Sequence, residues 1–254
     1  MLRIRVIPVL LLIEDGLYKT IRFKDPRYIG DPINAVKIFN EKEVDELVLF
    51  DISSSEMGTS PNFDLIHTIA TECFMPICYG GGINSLEDAS KLFRLGVEKI
   101  SINTAGINNP EFIRELSEKF GRSSIVVTMD IKKDVFGNYY VYTKRGKKNT
   151  GLRVDEWIKK VEELGAGEII LNNIDRDGTM TGYDIRSLKI VSQNTHIPVV
   201  ACGGAGKLDD FRVAVKEGGV SAVAAGSLFV YLGPKRGVLI NYPERDILEE
   251  SFRK

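Results

Sequence analysis

Four aspartates stand where short apolar, β-branched runs come to an end: Asp51, Asp130, Asp175 and Asp177. Carboxylates at such positions suit general acid–base work, which needs two groups held in different protonation states across one site. Glycines occupy the equivalent places after other runs, as Gly81-Gly82 and Gly203-Gly204, and the next runs end in Asn103-Thr104 and Gly226-Ser227. A residue without Cβ lets backbone amides approach a ligand closely, and amides at the start of a following helix attract phosphate. One cradle would join Gly81, Gly82, Asn103 and Thr104. A second would join Gly203, Gly204, Gly226 and Ser227, helped by Gly178 in the turn Asp175-Arg176-Asp177-Gly178-Thr179. A lone Gly-Gly means no more than a tight turn, whereas a duplicated pair implies a ligand with a phosphate at each end. Strand-end or turn hydrogen bonding is the plainer reading of Asp51, Asp175 and Asp177; Asp130 is the acid expected to function.

The elements that must hold these residues follow an alternating pattern. Strand-like runs near 5–10, 46–51, 76–79, 99–103, 125–130, 168–173, 198–202 and 221–225 are each followed by a turn and a helical spacing. The helices fit near 32–43, 62–73, 85–95, 109–120, 152–164, 184–193, 208–217 and 244–252. Such units build a parallel sheet, and this set predicts a closed (β/α)8 TIM barrel spanning 1–254 as one domain. An internal repeat strengthens the expectation. Pro76-Ile77-Cys78-Tyr79-Gly80-Gly81-Gly82 aligns with Pro198-Val199-Val200-Ala201-Cys202-Gly203-Gly204, and Asp45-Glu46-Leu47-Val48-Leu49 with Gly167-Glu168-Ile169-Ile170-Leu171. The barrel is therefore read as two duplicated half-barrels. In that alignment Leu11 takes the place of Asp130, so one acid of a symmetric pair is hydrocarbon. Residues 14–30 read as an irregular segment after the first strand. Residues 131–151 read as a second insertion, with a small hairpin over Phe136-Gly137-Asn138-Tyr139-Tyr140-Val141-Tyr142. Both fall where this fold carries its active-site loops.

Composition removes several classes of function. Thirty-four basic against 35 acidic residues leave a net charge of -1, so no global field favours nucleic acid or an anionic membrane. Cys73, Cys78 and Cys202 have neither CxxC nor zinc spacing, which suits buried thiols in a cytoplasmic protein. The stretch after Met1-Leu2-Arg3 imitates a signal peptide, but Glu14-Asp15-Gly16 replaces a cleavage site, and the apolar run is far short of the roughly 20 residues a membrane span needs. His67 and His196 are the two histidines, too few for a triad or a histidine zinc cluster. Neither a metal nor a cofactor is expected, and Trp157 reads as helix packing.

The segments Gly146-Lys147-Lys148-Asn149-Thr150-Gly151, Gly165-Ala166-Gly167-Glu168, Ile174-Asp175-Arg176-Asp177-Gly178-Thr179 and Gly203-Gly204-Ala205-Gly206-Lys207 resemble the cyclase subunit of imidazole glycerol phosphate synthase, the HisF family. The likeness covers nearly the whole chain. It implies a half-barrel duplication and a bisphosphorylated ribulosyl-aminoimidazole substrate from histidine synthesis. It also implies a glutaminase docked at the N-terminal face, whose ammonia crosses the barrel. Arg5, Glu46, Lys99 and Glu168 match the family's charged ammonia gate; without the resemblance they would be a paired salt-bridge layer. Lys19 matches a family ligand-binding position, although a lysine in a loop is otherwise an ordinary exposed residue, and Asn172 is a further candidate for binding the ligand.

Two departures matter. The family's first strand ends in a Cys-Leu-Asp type sequence where this chain has Val9-Leu10-Leu11, and strand six ends in Asn172-Asn173 rather than small hydroxyl residues. Losing a positioned acid or base costs on the order of 10²- to 10⁴-fold in rate. Leu10-Leu11-Leu12, Gly16-Leu17-Tyr18-Lys19-Thr20, Gly30-Asp31-Pro32-Ile33-Asn34-Ala35-Val36 and the tail Gly233-Pro234-Lys235-Arg236-Gly237 are similar to the glycosyl amidation proteins of surface-polysaccharide clusters. That likeness implies a glutaminase-like partner and a separate sugar amidotransferase, which together convert an N-acetyl group into an acetamidino group. The alternative is an active cyclase that makes imidazole glycerol phosphate and the aminoimidazole carboxamide ribotide.

Overall fold

The computed structural model describes residues 3–253, without the side chains of Ser55 and Glu56; Met1 and Leu2, at the head of the first apolar run, lie outside the described residues. Eight parallel strands close on themselves: β1 (Arg5–Ile13), β2 (Leu47–Asp51), β3 (Ile77–Gly80), β4 (Lys99–Ile102), β5 (Ile125–Lys133), β6 (Glu168–Asn173), β7 (Val199–Cys202) and β8 (Ala222–Ala225). Closure comes from β8 pairing with β1, Arg5 opposite Ala222. The expected (β/α)8 barrel is the fold.

Side-chain alternation along the strands sorts residues between two cores. Ile7, Val9, Val48, Cys78, Val126, Ile170, Val200 and Ala224 point inward and fill the barrel, with Leu11 and Phe50 packed on top of them. Leu10, Leu12, Leu47, Leu49, Val127 and Ile169 point outward against the helices. The outer ring comprises α1 (Pro32–Glu41), α2 (Phe63–Glu72), α3 (Leu86–Arg94), α4 (Glu111–Phe120), α5 (Val154–Glu163), α6 (Ile185–Ser192), α7 (Leu208–Lys216) and α8 (Arg245–Arg253). Local chemistry sets several starts. Asp31 accepts from the Asn34 amide ahead of Pro32, whose missing N–H costs nothing in a first turn, and Ser85 caps α3 through Asp88. Trp157 is buried on α5, as its spacing predicts.

The strand register repeats between the halves. Leu11 pairs with Phe50 across β1 and β2, and Asp130 pairs with Asn172 across β5 and β6. Leu11 thus occupies the structural place of Asp130, and Phe50 that of Asn172.

The insertions differ from expectation. Residues 14–30 are not irregular: Gly16–Ile21 and Lys24–Gly30 form an antiparallel hairpin laid on β1, with Leu11 opposite Tyr18. Its turn uses Arg22 and Phe23 at φ 53° and 63° instead of glycine or asparagine, so its sequence lacks the usual hairpin signal. In the second insertion, Phe136 and Gly137 lie in a turn organised by Asp134, whose carboxylate accepts from the Phe136 and Asn138 amides. The hairpin placed there extends further, because Tyr139–Thr143 pairs with β5 on one side and with Lys148–Arg153 on the other. The halves therefore carry matching hairpins above β1 and β5.

Candidate functional site at the two ends of the barrel

At the N-terminal end, Arg5, Glu46, Lys99 and Glu168 form one ring. Arg5 Nη1 donates to Glu46 at 2.5 Å, and its Nη2 donates to Glu168. Lys99 Nζ reaches Glu46 at 3.0 Å and Glu168 at 2.8 Å. Burial alone would lower the Arg5 and Lys99 pKa values, but the two glutamates outweigh it and hold both cations charged. Burial likewise opposes ionisation of Glu168, and Arg5 and Lys99 reverse that and pull its pKa below the usual range. The four residues are a fully paired charge layer, and they close the end where the strands begin. Above them comes the apolar interior, including Cys78, whose thiol burial pushes well up. The Cys73 and Cys202 thiols, pushed up to about 12 by burial, are protonated at neutral pH as well.

At the C-terminal end a cavity of about 380 Å³ opens between the two hairpins. All twelve residues expected at the mouth line it: Lys19, Gly81, Gly82, Asn103, Thr104, Asp130, Asn172, Gly178, Gly203, Gly204, Gly226 and Ser227. The glycine turns have matching geometry. Gly81 and Gly82 adopt φ 130° and 69°, and Gly203 and Gly204 adopt 84° and 122°. A Cβ on Gly81 would strike the Asp51 carbonyl; one on Gly203 would lie 2.7 Å from the carbonyl of Asn173, the symmetric residue. The tight turn is therefore reason enough for glycine, and it also brings this backbone to the cavity wall. Gly178 is held in the same way, since a Cβ there would meet the Thr20 carbonyl of the first hairpin.

Asp130 is half-buried and receives Asn103 Nδ2 at 2.7 Å and Asn172 Nδ2 at 3.1 Å. Burial raises its pKa to about 7 against these two donors, with nearby Asp177 adding to the rise. A carboxyl that changes charge near neutrality suits proton transfer. Asn103 precedes the short helix Thr104–Asn108 without capping it. The carbonyl oxygens Asn103 Oδ1 and Asn172 Oδ1 are buried without a partner. Across the mouth, the equivalent wall is Leu11 and Phe50.

The other acids have structural duties. Asp51 caps the short helix Ile52–Met57, taking the Ser53 and Ser54 amides and hydroxyls. Asp177 accepts from Thr20 Oγ1 at 3.0 Å and fastens the first hairpin over the mouth. Asp175 is exposed and takes the Lys133 amide at 3.3 Å.

Lys19 corrects the sequence reading. It lies on a hairpin strand, 5% exposed, with Nζ donating to the Val9 carbonyl and filling the space a Cβ on Gly226 would need. Burial lowers its pKa to about 8, which Asp177 partly offsets. Sequence reasoning missed Lys144 and Arg145, which the second hairpin's turn brings to the cavity wall. The run Lys144-Arg145-Gly146-Lys147-Lys148 was the available signal. His67 and His196 are exposed and away from the cavity. Among the described residues, no helix is long and apolar enough to cross a membrane.

A family model described as "Histidine biosynthesis protein" matches residues 5–233. The chain belongs to this family. Within it, the chain is 51% identical over 249 residues to a Pseudomonas aeruginosa protein named "Putative imidazole glycerol phosphate synthase subunit hisF2", covering 98% of this chain and 99% of the relative. It is 53% identical over 253 residues to a Leptospira borgpetersenii protein named "Putative imidazole glycerol phosphate synthase subunit HisF", covering 99% and 100%. Identity falls to 39% over 227 residues with the "Imidazole glycerol phosphate synthase subunit HisF" of Alkaliphilus metalliredigens, covering 89% and 90%. The protein is thus a HisF-like barrel.

Proposed function

We propose that this HisF-like barrel receives ammonia at its N-terminal face from a glutaminase partner and presents it at the mouth to a phosphorylated sugar. The setting would be acetamidino-sugar synthesis for a surface polysaccharide, with a sugar amidotransferase completing the transfer. The carrying observation is the register: Leu11 opposite Phe50 stands where the second half has Asp130 opposite Asn172. Cyclisation across the mouth wants a proton-transfer group on both sides, and one side is hydrocarbon.

Three features support the remainder of the reading. The charged ring is intact. The interior above it is lined by small or aliphatic side chains that offer ammonium no counter-charge, which favours passage of neutral ammonia. The paired turns Gly81-Gly82 and Gly203-Gly204, with Asn103-Thr104 and Gly226-Ser227 beside them, face one cavity and are suited to a ligand phosphorylated at both ends. Lys19, Lys144 and Arg145 add cationic side chains to its wall. A working cyclase is the second reading, favoured by retained Asp130 and by 39% identity to a relative named as a synthase subunit.

The test is reconstitution. The protein is co-expressed with the glutaminase encoded nearest to it, and incorporation of glutamine-derived ¹⁵N into a sugar acceptor is compared with release into solvent. Lys99→Ala and Glu46→Ala should uncouple the two, raising the released fraction. A glutaminase that neither binds nor changes its ammonia partition with these variants would overturn the conduit.

A further inference from the structure

One flank of the mouth carries a surface that the cavity does not use. The first hairpin's outer strand, Lys24–Gly30, pairs only with Gly16–Ile21 among the described residues, and Lys24, Asp25, Pro26, Arg27 and Tyr28 are exposed in succession. Beside it, the chain after β8 makes a very short hairpin, with Tyr231 paired to Val238 and Leu232 to Gly237. The two are fastened together and to the cavity wall. Arg27 Nη1 donates to the Arg236 carbonyl at 3.4 Å, and Arg236 Nη2 donates to the carbonyl of Gly178, a cavity residue, at 2.9 Å. Both guanidinium groups lie over the Tyr231 ring, 5.7 and 5.8 Å from its centre, which holds them in place.

This flank has the chemistry of a protein interface. Tyr28, Leu232 and Leu239 each leave about half or more of their surface in solvent, and Val238 is exposed with them. A small phosphorylated ligand gains nothing from apolar side chains out on the rim. Residues 21–28 and 231–239 hold the cations Arg22, Lys24, Arg27, Lys235 and Arg236 against one acid, Asp25, in a chain whose two signs nearly cancel. Among the described residues none of these cations forms an ion pair with a carboxylate; Arg22, Arg27 and Arg236 donate to backbone carbonyls instead. Aromatic side chains and arginine are enriched at the centres of interfaces, and unpaired cations favour an acidic counterpart. Lys24 and Pro26 discourage pairing of an added strand on the open edge, so contact is through side chains.

We propose that this flank docks the enzyme that consumes the ammonia, through a surface on that enzyme that is acidic around an apolar centre. The inference rests on the conduit reading and adds where the consuming enzyme sits. Ammonia that escapes into water at neutral pH takes up a proton and is lost as a nucleophile, so the second active site must lie against the rim. Docking on the two hairpins holds it there and leaves the glycine turns of the cavity free.

Biolayer interferometry and ¹⁵N partition test this, with the full chain, its glutaminase and the sugar amidotransferase encoded beside it. The wild type should bind the amidotransferase, at least about threefold more weakly when salt is raised from about 0.1 M to about 1 M. Leu232→Glu and Lys235→Glu should each weaken binding at least about tenfold and raise the released ¹⁵N fraction, because each sets an acid against an apolar or acidic surface. Phe136→Glu, at the exposed turn of the opposite hairpin, should change neither. Glutaminase binding and glutamine hydrolysis should be unchanged in every variant, which shows that the barrel is folded. An amidotransferase that does not bind, or that binds Leu232→Glu and Lys235→Glu as it binds wild type, would overturn the docking surface, and the conduit would stand if Lys99→Ala still uncouples ammonia. Docking on this flank with no effect of Lys99→Ala on the partition would overturn the conduit alone. Attachment to phosphatidylglycerol vesicles that the same substitutions abolish, with amidotransferase binding unaffected, would overturn the proposal in favour of a lipid surface.

Discussion

Replacing Asp130 with asparagine removes a carboxyl that titrates near 7 while keeping its size. In an unfolded chain the same carboxyl titrates near 3.9. Between those values the folded protein binds a proton that the unfolded chain has released. Wild-type stability therefore falls as pH rises through this window, because the fold must accommodate a half-buried carboxylate; below the window both states are protonated and the cost disappears. At about 1.36 kcal/mol per pK unit, the full difference corresponds to about 4 kcal/mol. Roughly two-thirds of it develops between about pH 5 and pH 8, and contact with cavity solvent reduces it further, leaving about 1–3 kcal/mol. Asp130→Asn lacks this term, so its stability relative to wild type should rise by that amount across the same range. Urea denaturation of both proteins at matched ionic strength measures the difference, and groups common to both cancel. Parallel pH profiles would refute the raised titration of Asp130 and with it the argument that burial sets its chemistry.

Other consequences follow from the same contacts. Asn172→Leu removes one of the donors to the Asp130 carboxylate, and a hydrogen bond to a charged group is worth about 1.5–3 kcal/mol; its ¹³C-carboxyl midpoint should move upward from about 7, and a downward move would contradict the assignment. Lys99→Met leaves Glu46 and Glu168 sharing Arg5 alone, so denaturation should show a loss on the order of 2–3 kcal/mol, smaller at a pH low enough to protonate the glutamates. Gly203→Ala forces a Cβ to within 2.7 Å of the Asn173 carbonyl at φ 84°, so a cost of about 1–3 kcal/mol should accompany weaker inorganic phosphate binding by calorimetry.

Much of the site was legible because a barrel with an internal repeat places residues by arithmetic. Once Gly81 aligned with Gly203 and Asn103 with Gly226, every residue singled out for the mouth had to meet at one face, and the cavity gathers them. The contrast of Leu11 with Asp130 was legible for the same reason. Phe50 escaped notice because an aromatic at the end of an apolar strand looks like any core residue; only its half-burial at the cavity distinguishes it. Lys19 was misjudged because its hairpin turns on Arg22 and Phe23 in left-handed conformations that neither residue type advertises. Lys144 and Arg145 were hidden in the same way, within a basic turn that resembles a solvated loop. The duties of Asp51 and Asp177 depend on which hydroxyls and amides approach them, and spacing carries no such information.

The central proposal is that Leu11 has taken cyclising chemistry out of a barrel whose charged ring and mouth cavity are present. Its most direct measurement supplies the ribulosyl-aminoimidazole bisphosphate and free ammonia to wild type and to Leu11→Asp, and follows formation of imidazole glycerol phosphate. The account predicts turnover at or near background for wild type and a gain on the order of 10²- to 10⁴-fold for Leu11→Asp. Rapid turnover by wild type, unchanged or reduced in Leu11→Asp, would contradict it.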